Sequence, residues 1–203
     1  ADRAGIDIYT VIEACNSQPY SHLHRPGIAV GGHCIPVYPR LYLSSDPDAD
    51  VVSTARAANA AMPEYVVSRL AGLLGDLRGL RIAVLGAAYR GGVKETAFSG
   101  VFATVDALRH RGALVLVNDP LYTDEELEGF GWVPYHFGDE VDAAIIQADH
   151  EEYAALVPAD LPGVKILFDG RAISDPVAWK GVPRLLKRRI CSRGRGPLGA
   201  VLL

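Results

Sequence analysis

A cysteine placed between paired glycines and a proline, Gly31-Gly32-His33-Cys34-Ile35-Pro36, is the segment of this sequence best suited to chemistry. Paired glycines open backbone conformations closed to other residues and let a ligand come close to the chain. A cysteine just behind them, ahead of a proline able to open a helix, would feel that helix's positive end, which favours the nucleophilic thiolate. A buried, inert cysteine in a turn accounts for the same residues. A metal site built from His22, His24, His33 and Cys34 is a third reading. Its spacing matches no common zinc pattern, so no metal is assigned.

A second candidate is Leu85-Gly86-Ala87-Ala88-Tyr89-Arg90-Gly91-Gly92, which lies between a strand-like run and a helical stretch. Anions bind at such junctions in doubly wound folds. Asp119 ends the next apolar run, as an acid that binds a ribose would. The central glycine of a dinucleotide fingerprint is replaced by Ala88, however, whose Cβ would crowd a pyrophosphate, and residues 89–97 make the loop longer than that fingerprint allows. NAD, another nucleotide and a vestigial nucleotide fold all remain open from the residues alone.

The elements that must position these groups fall into two textures. Residues 1 to about 17 read as helical, with Asp7 as a cap for the second part. Residues 18–39, rich in proline and glycine, read as a long loop of the kind that often carries function. Ser45-Asp46-Pro47 reads as the start of a long alanine-rich helix running to Gly75, a candidate dimer interface. From Leu80 the pattern changes. Apolar runs at 81–85, 114–119, 143–146 and 164–168 alternate with helical stretches at 98–111, 123–128 and 151–156. That alternation predicts right-handed crossovers and a doubly wound parallel α/β sheet. The predicted organisation is a helical region over 1–76, a sheet domain over 77–184 and a disordered tail over 185–203.

The chain has 203 residues, 49% hydrophobic and 22% charged, which is ordinary for a globular protein with a real core. A formal net charge of -4 gives no field for nucleic acid, so no nucleic-acid partner is expected. The cluster of Lys187, Arg188, Arg189, Arg193 and Arg195 reads as a solvated tail. No apolar run approaches the roughly 20 residues of a membrane span, and no membrane partner is expected. Three cysteines (Cys15, Cys34 and Cys191) make no disulfide framework, which points to a reducing cytoplasm. The opening Ala1-Asp2-Arg3, helical in texture and without an initiator methionine, suggests a fragment.

The segment Pro26 to Val37 resembles the cysteine loop of the UDP-glucose/GDP-mannose dehydrogenase family, and its His33 form is similar to the branch that oxidises UDP-N-acetylhexosamines. The Gly5-Ile6-Asp7-Ile8-Tyr9, Val11-Ile12-Glu13-Ala14-Cys15-Asn16 and Ala58-Asn59-Ala60-Ala61-Met62-Pro63 segments resemble that family's central helices, in the same order. The resemblance implies a helical central region followed by a Rossmann-like UDP-sugar-binding domain, with NAD on a further amino-terminal domain absent here. It implies a homodimer or higher homo-oligomer and a four-electron oxidation of the sugar C6 alcohol to a carboxylate, through a thiohemiacetal and thioester on Cys34. Gly31, Gly32 and His33 would lie against the sugar. Gly86, Tyr89 and Arg90 match the stretch that contacts the sugar nucleotide, a guanidinium offering paired donors to a diphosphate. Arg171 in Asp169-Gly170-Arg171 would reach a neighbouring subunit's active site, with a plain structural salt bridge as the alternative. Asp149 is expected to cap a helix and His150 to be structural.

Two departures bear on activity. The family's aspartate four residues after the cysteine is Tyr38 here, and a neutral phenol is no carboxylate base. Ala97 falls where many members carry an arginine. Without the NAD domain this chain alone is expected to be inactive. The competing reading is a non-catalytic nucleotide-sugar-binding or assembly module derived from the same family.

Overall fold

The computed structural model describes residue 1 and residues 4–185. The basic cluster from Lys187 to Arg195, Cys191 and nearly all of the expected tail lie outside the described residues, as do Asp2 and Arg3. The first helix, α1 (Ile8–Asn16), is shorter than its sequence pattern. Gly5 takes a left-handed φ of 68° and Asp7 is extended, accepting the Tyr9 amide at 3.1 Å, so the helix starts at that cap.

The expected loop over 18–39 ends at His33. Cys34 is the first residue of α2 (Cys34–Ser45), with Pro36 in its first turn, where a missing N–H is harmless, and Pro39 inside. That second proline made the segment read as loop. The expected helix start at Ser45-Asp46-Pro47 is likewise displaced. Ser45 ends α2, Asp46 caps it, and α3 (Asp50–Leu74) begins after a short turn. Gly75, with φ 82°, terminates α3.

Six parallel strands follow, β1 (Arg81–Leu85), β2 (Leu114–Asn118), β3 (Val133–Pro134), β4 (Ala143–Ile146), β5 (Ile166–Asp169) and β6 (Arg184–Leu185). Their order is β3-β2-β1-β4-β5-β6, with every pairing parallel. The two-residue edge strands β3 and β6 have no counterpart in the sequence reading, being too short to show a period. Helices α4 (Val101–His110), α5 (Asp124–Gly129) and α6 (Glu151–Ala154) complete the crossovers. Thr123 and Glu126 form a capping box at the start of α5.

Alternate strand residues separate onto the two sheet faces. Ile82, Val84, Val115, Val117, Ile145 and Phe168 share one core with Val105 and Leu108 of α4, and with Val66, Val67 and Leu70 of α3. Ala83, Leu85, Ala144, Ile146 and Leu167 share the other with Tyr153, Leu161 and Trp179. The last turns of α3 therefore belong to the core of the sheet domain. A division at residues 76 and 77 separates segments of chain and does not separate two cores.

Candidate functional site

The strand order reverses between β1 and β4, and doubly wound sheets bind ligands in the crevice beyond the strand ends at that point. The segment before the cysteine is docked there. Ile28 is 1% exposed and part of the sheet core, and its carbonyl accepts from Gln147 Nε2, just after β4, at 3.0 Å. Gln147 Oε1 in turn accepts from the Thr104 hydroxyl of α4 at 2.9 Å. On the other side, Asn59 of α3 accepts the Val30 amide at 2.8 Å and donates to the Val30 carbonyl at 3.4 Å. The strap from Pro26 to His33 is thus clamped between the helical region and the sheet domain.

Gly31 and Gly32 meet the turn after β1. A Cβ on Gly31 would fall 2.7 Å from both the Phe98 carbonyl and the Tyr89 Cβ. Gly32 has φ 86°, donates its amide to the Ala97 carbonyl at 2.9 Å, and lies against the Tyr89 ring. Only glycine tolerates both the approach and the φ. His33 Nε2 stands 3.3 Å from Glu95 Oε2 in a solvent-exposed pair. Hydrogen bonds, from the Ala97 amide first and His33 second, hold the Glu95 carboxyl below its ordinary range. Arg90 is exposed and donates through Nε to the Tyr89 hydroxyl at 3.3 Å. Cys34 is exposed as the first residue of α2, which excludes the buried, inert reading of this thiol.

Five of the expected site residues, Gly31, Gly32, His33, Tyr89 and Arg90, are therefore brought together, with Cys34 directly following. Two others lie apart from that group. Gly86 is buried, its amide is spent on the Asn118 carbonyl, and a Cβ there would run into Ala148. Its place in this chain is one of close packing against the turn after β4. Arg171 lies within its own chain's network, donating to Asp149 Oδ2 at 2.7 Å, with its guanidinium packed on Gly27 of the strap. Asp149 is not a helix cap. His150 holds the cap position of α6, while Asp149 bridges Arg171 and the Gly91 amide at 2.9 Å. Burial pushes the Asp149 carboxyl up, and the Arg171 and Gly91 hydrogen bonds outweigh it, so the group sits below its ordinary range.

Asp119 decides what the turn after β1 can hold. It is 2% exposed, and its Oδ2 accepts the Ala87 and Ala88 amides at 2.8 and 3.0 Å and His150 Nε2 at 3.1 Å. The Gly92 amide donates to His150 Nδ1 at 3.4 Å, which places the imidazole proton on Nε2. Those two turn amides are the ones a pyrophosphate would use, and the acid that would bind a ribose is walled in. NAD does not fit this turn. Among the described residues no group of three or more histidines, cysteines and carboxylates comes together to hold a metal ion, and no helix is long and apolar enough to cross a membrane.

Asn59, Gln147, Asp149 and Glu95 escaped the sequence reading as site-building residues. Gln147 carried a usable signal, a polar residue just past a buried strand's carboxyl end. Asn59 gave only its isolation among alanines.

Comparison with known proteins bears on both segments. The model of the UDP-glucose/GDP-mannose dehydrogenase family, central domain, matches residues 1–61, and that of the family's UDP binding domain matches residues 83–176. UDP-N-acetyl-D-mannosamine dehydrogenase of Pyrococcus horikoshii is 33% identical over 184 residues, covering 85% of this chain but 42% of that protein. The solved structure of UDP-D-ManNAc dehydrogenase from Pyrococcus horikoshii superimposes with a TM-score of 0.75 at 30% identity, over 91% of this chain and 45% of that one. A UDP-glucose dehydrogenase from Pyrobaculum islandicum superimposes with a TM-score of 0.73 at 28% identity, over 84% and 41%. The chain thus spans less than half the length of these relatives.

Proposed function

The chain belongs to the UDP-glucose/GDP-mannose dehydrogenase family, and from that premise we propose that it is the carboxyl-terminal part of an NAD-dependent UDP-N-acetylhexosamine 6-dehydrogenase. UDP-N-acetylmannosamine is the foremost substrate, since relatives of both sequence and structure carry that name. The observation that carries the reading is the exposed thiol of Cys34, opening α2 on a strap pressed against the Tyr89-Arg90 turn.

In this reading Arg90 and Tyr89 hold the nucleotide, and Gly31 and Gly32 leave room for the sugar beside the thiol. Cys34 Sγ adds to the C6 aldehyde as a thiolate, forming the C–S bond while the carbonyl oxygen takes a proton. The sulfur later leaves as a stable anion when water cleaves the thioester, so one hard step becomes two easier ones. NAD, bound by another part of the longer protein, would accept the hydrides from C6. Homo-oligomerisation, a further part of the proposal, would use surfaces of the helical region.

UDP should raise the unfolding temperature of this chain, and Arg90→Ala should remove the rise. An equal response from the variant would sink the assigned site. In the full-length protein, Cys34→Ser should abolish carboxylate formation from UDP-N-acetylmannosamine. Tyr38 favours a second reading. It is exposed one turn after Cys34 on α2, where the family's carboxylate would serve hydrolysis. Intact-mass measurement during turnover separates the two, because a sugar adduct persisting on Cys34 means that hydrolysis stalls.

A further inference from the structure

Behind the cysteine, α2, α3 and the start of α4 enclose a groove of approximately 320 Å3. Its lining includes Pro36 and Arg40 of α2, Arg56 and Asn59 of α3, and Phe98 and Phe102 at the entry to α4. At about 100° per residue, Pro36 and Arg40 stand roughly 200° and 240° around α2 from Cys34, so the groove lies on the far side of that helix from the thiol. It is a different place from the cleft of Tyr89 and Arg90, neither of which lines it.

The charge in the groove is one-sided. Two guanidinium groups line it and no carboxylate does. Among the described residues, Lys94, Arg111, Lys165 and Arg171 each reach a carboxylate. Arg40 instead lies over the Phe98 ring, 5.5 Å from its centroid. Arg56 is half-buried and lines the same groove. Phe98 is held at φ 51° and is 48% exposed as a residue, a strained and solvated placement for a bulky aromatic side chain. The α4 helix also opens here through Gly100, which supplies no side-chain cap.

We propose that this groove is a second ligand site that takes a small organic anion. A phosphate or carboxylate group would lie between Arg40 and Arg56, whose planar donor forks suit either, and an aromatic or alkyl body would cover Phe98 and Phe102. The site borders the strap through Val30, Asn59 and Phe98, but the two arginines that would hold the anion, Arg40 and Arg56, are not those assigned to the sugar nucleotide.

Phenyl phosphate, inorganic phosphate and benzoate titrated calorimetrically into this chain provide the test. Saturable binding of phenyl phosphate or benzoate is expected, tighter than that of inorganic phosphate. Arg40→Gln and Arg56→Gln should each weaken it by about tenfold or more, the worth of a charge-assisted hydrogen bond. Arg90→Ala should leave it unchanged. Thermal unfolding without ligand reports whether each variant folds, and Arg40→Lys, which keeps the charge but loses the paired donors, should show an intermediate loss. The proposal falls if no probe saturates the parent chain, if both glutamine variants bind as the parent does, or if Arg90→Ala abolishes binding.

Discussion

Asn59 does for Val30 what a neighbouring strand would do, taking its N–H and giving to its carbonyl, and so fixes the backbone four residues ahead of Cys34. Asn59→Ala should lower stability by about 1–2 kcal/mol, the net worth of such hydrogen bonds, measured by urea unfolding. It should also change the alkylation rate of Cys34 by iodoacetamide, which a substitution remote from the strap would leave alone. Gln147 offers a sharper case because it is 6% exposed. Gln147→Leu keeps the bulk but strands the Ile28 carbonyl, at a cost of about 1–3 kcal/mol, while the Thr104 hydroxyl keeps the Gly100 carbonyl as its acceptor. Gly31, Gly32 and Pro36 marked Cys34 in the sequence as a candidate for chemistry. Its support was not legible there, since Gln147 and Ile28 are 119 positions apart.

The turn after β1 shows an element built around an internal anion. Asp119 fills the place where a doubly wound fold usually receives a ligand's phosphate, and the strand-ending acid that suggested NAD is what excludes it there. Asp119→Ala leaves the Ala87, Ala88 and Leu121 amides and His150 without their acceptor, and should cost several kcal/mol at about 1–3 kcal/mol for each buried group left unpaired. Asp119→Asn keeps an acceptor oxygen and should cost less. Equal losses would show that shape, not hydrogen bonding, sets this turn. Ala88 and the long loop after it already argued against a dinucleotide, but the acid itself looks the same in sequence whether it faces a ribose or the chain's own amides.

Over the whole molecule, the two segments share one core. Leu70 lies on α3, before the sheet begins, yet is fully buried against sheet residues. Leu70→Ala should cost about 2–5 kcal/mol in the unfolding of the sheet itself. A chain shortened to residues 77–185 would expose that face and should lack a cooperative transition, whereas independent domains would leave it intact. Acid should act through the paired carboxylates. Asp119 and Asp149 both have folded values below the ordinary aspartate value, so they stabilise the folded state above it. That contribution should be complete above about pH 5 and be lost as the pH falls below about 4, with Asp149→Asn flattening the decline.

The sequence by itself determined the α/β class, the four long strands, the acidic cap of α1 and the identity of the thiol, because each follows from local periodicity or from residue types within one short segment. Tertiary structure alone decided that Cys34 opens a helix despite Pro39, that Gly86 packs closely on Ala148, and that Arg171 pairs with Asp149. It also decided that Asp119 is turned inward. Those outcomes depend on which distant groups share a few ångströms of buried space, where an unpaired donor or acceptor is costly, and spacing along the chain does not encode that distance.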